Sequence, residues 1–235
     1  MKIKVSASIL AADFACLRKE IKRAERAGVD MFHIDVMDGH LAPNITIGTT
    51  ITSCIRGLTK LPLDAHLMID NPGLYIEDFV KAGADIITLH TEAYSNDITD
   101  VHKIKTSPRK ANSINGAPLL RDVAKIKRFG ARSSICINPL TPVSAIEKYL
   151  NHFNKVLIMS VNPGFAGQKF MSNALGKIRQ LRRIYDGDIE VDGGINDETA
   201  PAVINAGANI LVSASYLFKS RDMRGAICRL KKIRR

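Results

Sequence analysis

Short apolar runs alternate with amphipathic stretches eight times along this chain of 235 residues. The apolar runs predict β-strands near 3–8, 30–36, 62–67, 85–90, 133–137, 155–161, 188–192 and 209–213. The stretches between them predict helices near 15–27, 46–57, 72–82, 118–129, 143–150, 172–185, 197–206 and 220–232. Eight strand–helix units favour a closed (β/α)8 TIM barrel of the phosphate-binding type, although a doubly wound open sheet has the same local pattern.

A weak internal repeat supports the barrel. The tetrapeptides that carry it are AGVD (27–30), AGAD (82–85), FGAR (129–132) and AGAN (206–209). Each one ends a helical pattern and begins an apolar run, and glycine is the residue that most readily ends a helix in the left-handed conformation. No change of composition marks a boundary, so a single domain is expected over 1–235.

The formal net charge of +11 permits nucleic-acid binding, but the chain has no Trp and only 6% aromatic residues with which to stack bases. A solvated basic surface is the preferred interpretation, and a surface whose positive potential attracts an anionic small substrate is the alternative. Nucleic acid is not the expected partner. No apolar run reaches the ~18 residues that span a bilayer, so a cytoplasmic protein without membrane contact is expected. The four cysteines lie far apart and are expected to be reduced core residues.

One polar and basic segment, 94–117, interrupts the rhythm between the fourth and fifth strands. A connection of this length is usually functional or mobile. It is interpreted as a surface excursion that is partly helical at 97–105, with a lid or a subunit contact as the alternatives.

Polar side chains at three predicted strand ends are the first candidates for chemistry. His33 and Asp35 share one face of the second strand, His66 ends the third, and Asp192 ends the seventh. In a barrel these ends form the site. Two histidines and two carboxylates suit Zn, Mn, Fe or Co, which the ligand types do not distinguish. A hydrogen-bonded buried pair of His33 and Asp35 is the simpler alternative.

Two glycine-rich turns are the second group. Gly164 and Gly167 follow the sixth strand, and Gly193 and Gly194 follow the seventh, where barrels often bind phosphate through backbone N–H groups. Each pair alone would indicate only a turn. Three methionines near strand ends either fill the core or line the site: Met37, Met68 and Met159. Ser8, at the end of the first strand, either caps a turn or contacts a substrate.

Six motifs in this order resemble the ribulose-phosphate 3-epimerase family: SASILAADF, HIDVMDGHLAPN, DAHLM, INPLTP, MSVNPGFAGQKF and EVDGGI. The resemblance runs from about residue 5 to about 218, except near 94–117. It implies a barrel enzyme of the pentose phosphate pathway that uses one divalent metal ion. Such an enzyme would interconvert D-ribulose 5-phosphate and D-xylulose 5-phosphate, and a homo-oligomer is expected.

The resemblance also implies roles for individual residues. The metal ligands would be His33, Asp35, His66 and Asp192. Asp35 and Asp192 would be the acid/base pair that inverts carbon 3 through an enediolate. The substrate would be bound by Ser8, His66, Met37, Met68, Met159, Gly164, Phe165, Ala166, Gly167, Gly193, Gly194, Ala214 and Ser215.

The chain departs from the family pattern at Leu41, where a Phe is usual, and at Ala214, where a Gly normally precedes Ser215. The segment 94–117 is a third departure. Three alternatives stay open: an epimerase of a six-carbon ketose phosphate such as allulose 6-phosphate, a non-catalytic sugar-phosphate binder, and a nucleic-acid binder. Decarboxylation on a similar barrel would need a lysine among acids, and no lysine is adjacent to Asp35 or Asp192 in the sequence.

Overall fold

Eight parallel strands form a closed barrel, as the sequence predicts. The structure is a computed structural model and describes residues 2–96 and 109–232. Each strand pairs with the next along the chain, and the eighth pairs with the first. The strands are β1 (Lys4–Ser8), β2 (Met31–Met37), β3 (Leu63–Met68), β4 (Ile86–His90), β5 (Arg132–Ile137), β6 (Lys155–Met159), β7 (Asp188–Asp192) and β8 (Ile210–Ser213).

Helices surround the barrel. They are α1 (Leu17–Ala27), α2 (Thr49–Arg56), α3 (Ile76–Lys81), α4 (Gly116–Arg128), α5 (Ala174–Arg182), α6 (Ala200–Ala206), α7 (Ser215–Phe218) and α8 (Met223–Leu230). Short 3-10 turns precede some of them, such as Phe14–Cys16 before α1. Within the described part of the chain, none of the helices has the length and apolar character needed to cross a membrane.

The connection between β5 and β6 differs from the prediction. In place of an α-helix near 143–150, the chain forms two 3-10 turns, Val143–Ala145 and Glu147–His152. Val143, Ile146 and Tyr149 are all buried. This spacing of three residues matches the three residues per turn of a 3-10 helix, so packing against the barrel selects the tighter coil.

The internal repeat ends helices as predicted. Gly28 follows α1 with a φ of 99°, and its N–H donates to the carbonyl groups of Ala24 and Glu25. Gly207 follows α6 with a φ of 117°. A side chain is disfavoured at such a φ, so glycine allows the chain to leave each helix and enter the next strand.

Inside the barrel, apolar side chains lie near the amino ends of the strands and polar side chains lie closer to the carboxyl ends. Met31, Ile86 and Ile210, near the amino ends of their strands, form a small apolar cluster. The main apolar core lies instead between the strands and the helices. The polar and charged side chains buried inside the barrel include His33, Asp35, Asp64, His66, His90, Lys155 and Glu190. Buried charges are costly unless they are paired or bind a metal, so this interior indicates a functional site.

The four cysteines are free, as expected, but only Cys136 is buried. The prediction of a core position is wrong for three of them, since Cys16, Cys54 and Cys228 are exposed.

Part of the unusual segment 94–117 lies outside the described residues, including the helix expected at 97–105. Its second part packs on the barrel: Arg109 forms an ion pair with Asp70 at 2.6 Å, and Ala111 is fully buried. The segment is therefore not wholly a surface excursion.

Candidate active site

The structure brings together the four side chains that the strand ends singled out. Each of these residues offers one potential ligand atom, and the four atoms all lie within 4.8 Å of one another. The residues are His33, Asp35, His66 and Asp192. Parallel pairing explains this, because Asp35 is in register with His66 on the neighbouring strand β3. Asp192 ends β7 and faces the cluster across the barrel, with its Oδ2 atom 3.9 Å from His33 Nε2.

The shortest contact in the cluster joins two ring nitrogens. His33 Nε2 and His66 Nδ1 are 3.0 Å apart, and Asp35 Oδ1 lies 3.4 Å from each of them. Ser8 donates its hydroxyl hydrogen bond to Asp35 Oδ2 at 2.6 Å and also accepts one from the N–H of Leu10. Ser8 thus caps a turn, which is one of the two roles that the sequence left open, and it also contacts the cluster.

These residues fit a divalent metal ion. Two imidazole nitrogens and two carboxylates from three strands converge in the barrel interior, which is the donor set of Zn, Mn, Fe or Co sites. A ligating histidine must be neutral, and burial lowers the pKa of His66 to about 3. His33 differs: burial opposes its charge, but Asp35 and Asp64 outweigh burial and raise its pKa. A metal ion that binds there must displace a proton.

Two other groups of potential ligands lie nearby. His66, His90 and Cys136 form one, and His33, Asp64 and Glu190 form the other. In the first group the Nε2 atoms of His66 and His90 are 2.7 Å apart, which is a hydrogen-bond distance. In the second group the carboxylates already bind a cation, Lys155. Both groups are therefore explained by their own partners.

Lys155 was not predicted as part of the barrel interior. It begins β6, is 1% exposed, and forms ion pairs with Asp64 and Glu190. These two carboxylates overcome burial and raise its pKa, so it stays charged. The described residues show no hydrogen bond or ion pair between Lys155 and either Asp35 or Asp192. The lysine therefore compensates buried charge beneath the cluster and does not join it.

The two aspartates differ in their proton affinity. Burial and the neighbouring Asp35 carboxylate together raise the pKa of Asp192 to about 7. Burial also acts against ionisation of Asp35, but the charge of His33 and its hydrogen bond outweigh burial and hold the pKa of Asp35 well below its usual range. One carboxyl group is thus able to hold a proton at neutral pH while the other is ionised.

The glycine turns lie beside this cluster. They line a cavity of about 560 Å³ together with Asp35, Asp192 and Ser8. Gly193 and Gly194 have positive φ angles of 118° and 63°, and a Cβ on Gly194 would collide with the backbone of Phe170. Glycine is therefore required for the turn after β7 to pack as it does.

The beginnings of two helices lie at the cavity wall. Thr199, which immediately precedes α6, is one of the lining residues. The structure places the first residue of the short α7, Ser215, in the cavity wall, next to Ala214. Ala214 has a φ of −108°, which lies outside the left-handed region that favours glycine.

Most of the predicted substrate-binding residues line this cavity. They are Ser8, Met37, Met68, Met159, Gly164, Phe165, Ala166, Gly167, Gly193, Gly194, Ala214 and Ser215. His66 does not, because its side chain is fully buried beneath the cavity. Its position suits a metal ligand and leaves it no exposed surface for the predicted contact with the substrate. Leu41, one of the departures from the family pattern, packs with Met37 and Met68.

The comparison with protein families decides the assignment. The family model described as "Ribulose-phosphate 3 epimerase family" matches residues 4–114 and 115–218. The chain belongs to the ribulose-phosphate 3-epimerase family. The two matched parts meet inside the segment 94–117. The prediction of an epimerase is confirmed at the level of the family.

Similar curated proteins agree over nearly the whole chain. A ribulose-phosphate 3-epimerase of Bacillus subtilis is 46% identical, covering 97% of this chain and 98% of its own length. The one from Methanocaldococcus jannaschii is 44% identical, covering 97% of this chain and 90% of its own length. A chloroplastic ribulose-5-phosphate-3-epimerase of Arabidopsis thaliana is also 44% identical, over 99% of this chain and 78% of that protein.

Solved structures support the fold alone. A 3-hexulose-6-phosphate synthase is 16% identical with a TM-score of 0.68, covering 97% of this chain and 98% of that one. The tryptophan synthase A-subunit from Pyrococcus furiosus is 12% identical with a TM-score of 0.63, covering 99% and 97% of the two chains. These TM-scores show that this member of the epimerase family shares the barrel fold with both proteins.

Sequence reasoning missed part of the site of this epimerase family member. Asn162, Gln168 and Asn196 line the cavity in the same loops as the predicted glycines. His90 ends β4, Glu92 follows it in the motif LHTE, and both are buried next to the candidate metal cluster. The signal for this pair was available, because it has the same position at a strand end that singled out His33 and His66.

Proposed function

We propose that the protein interconverts D-ribulose 5-phosphate and D-xylulose 5-phosphate by inverting the configuration at carbon 3. The observation that carries this proposal is the position of Asp35 and Asp192. Both belong to the candidate metal cluster, and both line a cavity that glycine loops also line. Membership of the epimerase family over nearly the whole chain supports the reaction type.

The phosphate group of the substrate would bind at the glycine loops. Among the described residues that line the cavity, Lys169 is the one cationic side chain, and it is exposed. A dianion there must be stabilised chiefly by backbone N–H groups, including the free N–H groups at the start of α7. A cavity of about 560 Å³ has the size usual for small-molecule sites.

The two aspartates would perform the proton transfers. Inversion beside a ketone requires removal of the carbon-3 proton from one face and return of a proton to the other face. Asp35, whose pKa is held low, is ionised at neutral pH and is thus in the form that a base requires, and Asp192, whose pKa is about 7, is able to hold a proton. Two groups with such separated proton affinities can act as base and acid, and they exchange roles in the reverse reaction. The hydroxyl group of Ser8 would orient Asp35.

A divalent metal ion would be held by His33, Asp35, His66 and Asp192. When it is bound, it supplies a Lewis acid that stabilises negative charge on the substrate oxygens while the planar enediolate exists. Because the cation attracts both carboxylates, it also offsets the repulsion between Asp35 and Asp192. The ligand types fit Zn, Mn, Fe and Co.

The decisive experiment compares ketose phosphates in deuterated water. We expect conversion of ribulose 5-phosphate to xylulose 5-phosphate with deuterium at carbon 3 of the product. We also expect kcat/KM to exceed that for allulose 6-phosphate by at least tenfold. A preference for the six-carbon substrate would replace the substrate assignment, and the absence of carbon-3 exchange with any ketose phosphate would overturn the reaction.

A further inference from the structure

A chain of hydrogen bonds leads from the metal cluster into the protein. His66 Nε2 lies 2.7 Å from His90 Nε2, and His90 Nδ1 lies 2.9 Å from Glu92 Oε2. All three side chains are at most 3% exposed. Because the chain is so deeply buried, the direction of its hydrogen bonds depends on the protein groups at its ends.

Backbone N–H groups fix the direction at the far end. Glu92 Oε1 accepts a hydrogen bond from the N–H of Asn138 at 2.9 Å and another from the hydroxyl of Thr141. The Thr141 hydroxyl itself accepts one from the N–H of Ala111 at 3.0 Å, so its own proton points to Glu92. A backbone N–H group can only donate. Glu92 Oε1 is therefore an acceptor in any arrangement of protons.

The direction then passes through both histidines. The second oxygen of the Glu92 carboxylate accepts from His90 Nδ1–H, which leaves His90 Nε2 without a proton. His90 Nε2 in turn accepts from His66 Nε2–H. The ring planes are inclined by 14°, and the ring centroids are 4.8 Å apart while the two Nε2 atoms are 2.7 Å apart. The rings therefore lie nearly end to end, so this N–H can point along the lone pair of the other ring. The remaining nitrogen of His66, Nδ1, keeps its lone pair.

We propose that Glu92 and His90 are positioning residues that hold His66 in the tautomer with a free Nδ1 lone pair. This nitrogen faces the candidate metal cluster, 3.0 Å from His33 Nε2 and 3.4 Å from Asp35 Oδ1. The inference rests on the proposed function, because it requires a metal ion at that cluster. The buried carboxylate thus determines which atom of His66 is a ligand.

A single isosteric substitution reverses the chain. In Glu92→Gln the amide oxygen must stay at the Oε1 position, where the N–H of Asn138 donates. The amide NH2 then faces His90 Nδ1, which becomes an acceptor. His90 Nε2 now carries the proton and donates to His66 Nε2, so the proton of His66 moves to Nδ1. The shape of the site is retained while the ligand atom is blocked.

Thr141→Val is the matched control. It removes one donor to Glu92 Oε1 and leaves the N–H of Ala111 without its partner, so it weakens the same buried network. It does not replace an acceptor by a donor, and the direction through His90 is unchanged. If Glu92→Gln weakens zinc affinity and Thr141→Val does not, the loss is caused by the change of the His66 tautomer and not by a weakened network.

The experiment measures zinc affinity by competition with a chelator and the histidine nitrogens by 15N NMR of the zinc-loaded protein. We expect wild type to show a metal-bound Nδ1 and a protonated Nε2 on His66, with a proton on Nδ1 of His90. Glu92→Gln should bind zinc 10–100-fold more weakly, whereas Thr141→Val should stay within about threefold.

Three results would overturn the inference. One is a folded Glu92→Gln protein with wild-type zinc affinity, and another is a proton on Nε2 of His90 in wild type, a measurement that needs no variant. In either case an intact epimerase activity would leave the proposed function standing. If wild type binds no divalent metal at His66, the metal part of the proposed function and this inference both fail.

Discussion

Asp35 and Asp192 have carboxylate oxygens within 4.8 Å of each other, yet their pKa values are displaced in opposite directions. His33 causes the difference, because its Nε2 atom lies 3.4 Å from Asp35 Oδ1 but 3.9 Å from Asp192 Oδ2. Two like charges this close seldom ionise together without a cation, so the group with fewer partners retains the proton.

Asp192→Asn should reduce turnover by roughly 10²–10⁴-fold, because it removes an acid/base group and a candidate metal ligand together. Steady-state kinetics on ribulose 5-phosphate, with circular dichroism to confirm folding, measures this. Glu198→Gln is the control, since Glu198 lines the same cavity but is exposed and lies outside the cluster; its rate should change less than threefold. An Asp192→Asn protein with over a tenth of the wild-type rate would remove Asp192 from the mechanism.

The stability of the metal-free protein should fall as the pH rises from 5 to 7.5. Asp192 keeps its proton below about pH 7 in the folded protein, whereas an unfolded carboxyl group ionises near pH 4. The folded state therefore binds more protons in this interval, and each such proton changes the free energy of unfolding by about 1.4 kcal/mol per pH unit. Urea unfolding at pH 5, 6 and 7.5 measures the slope.

Asp192→Asn is the comparison for this slope. The variant has no group to titrate at that position, so it should lose less stability than wild type between pH 5 and 7.5. Burial raises the pKa of Glu190 to about 7 as well, and that contribution remains in both proteins. Equal slopes for the two proteins would show that Asp192 does not hold a proton at neutral pH.

The sequence predicted the barrel because every strand of a covered parallel sheet is an apolar run and every helix has a polar face. The four cluster residues were predictable for a related reason, since the carboxyl ends of all strands meet at one end of a closed barrel. Lys155 was not. A lysine that begins a strand usually has a solvated side chain, and only its position opposite Asp64 and Glu190 inside the closed barrel explains its burial.

The hydrogen-bond chain through His90 and Glu92 could not be predicted either. Its direction depends on Thr141, which follows β5, and on the backbone of Ala111, which lies in the unusual segment 94–117. Contacts between residues so distant in sequence have no local pattern. The 3-10 turns between β5 and β6 are a similar case, because packing and not helix propensity selects them.

Removal of the metal ion should abolish turnover, and Zn, Mn, Fe or Co should restore it. His66→Asn should weaken the affinity for the restoring metal at least tenfold, because it alters a ligand with no exposed surface. His40→Asn is the control: His40 is exposed, lies outside the cluster, and should leave affinity unchanged. Affinity should also rise with pH, because His33, whose pKa is raised, must lose a proton to bind. Full activity of a protein shown by elemental analysis to contain no metal would contradict this prediction.

A methyl group on Gly194, in the loop after β7, should weaken binding of the phosphate group. Gly194 has a φ of 63°, and a Cβ added to it would collide with the backbone of Phe170. Gly194→Ala must therefore displace a wall of the cavity. We expect at least a tenfold increase in KM for ribulose 5-phosphate and a weaker inhibition by inorganic phosphate.

Gly176→Ala is the matched control, because a Cβ there meets nothing within 4 Å on the exposed side of α5. It should leave KM unchanged and stabilise the protein by up to about 1 kcal/mol, since alanine is the better helix former. Equal KM values for the two variants would show that the phosphate group binds elsewhere.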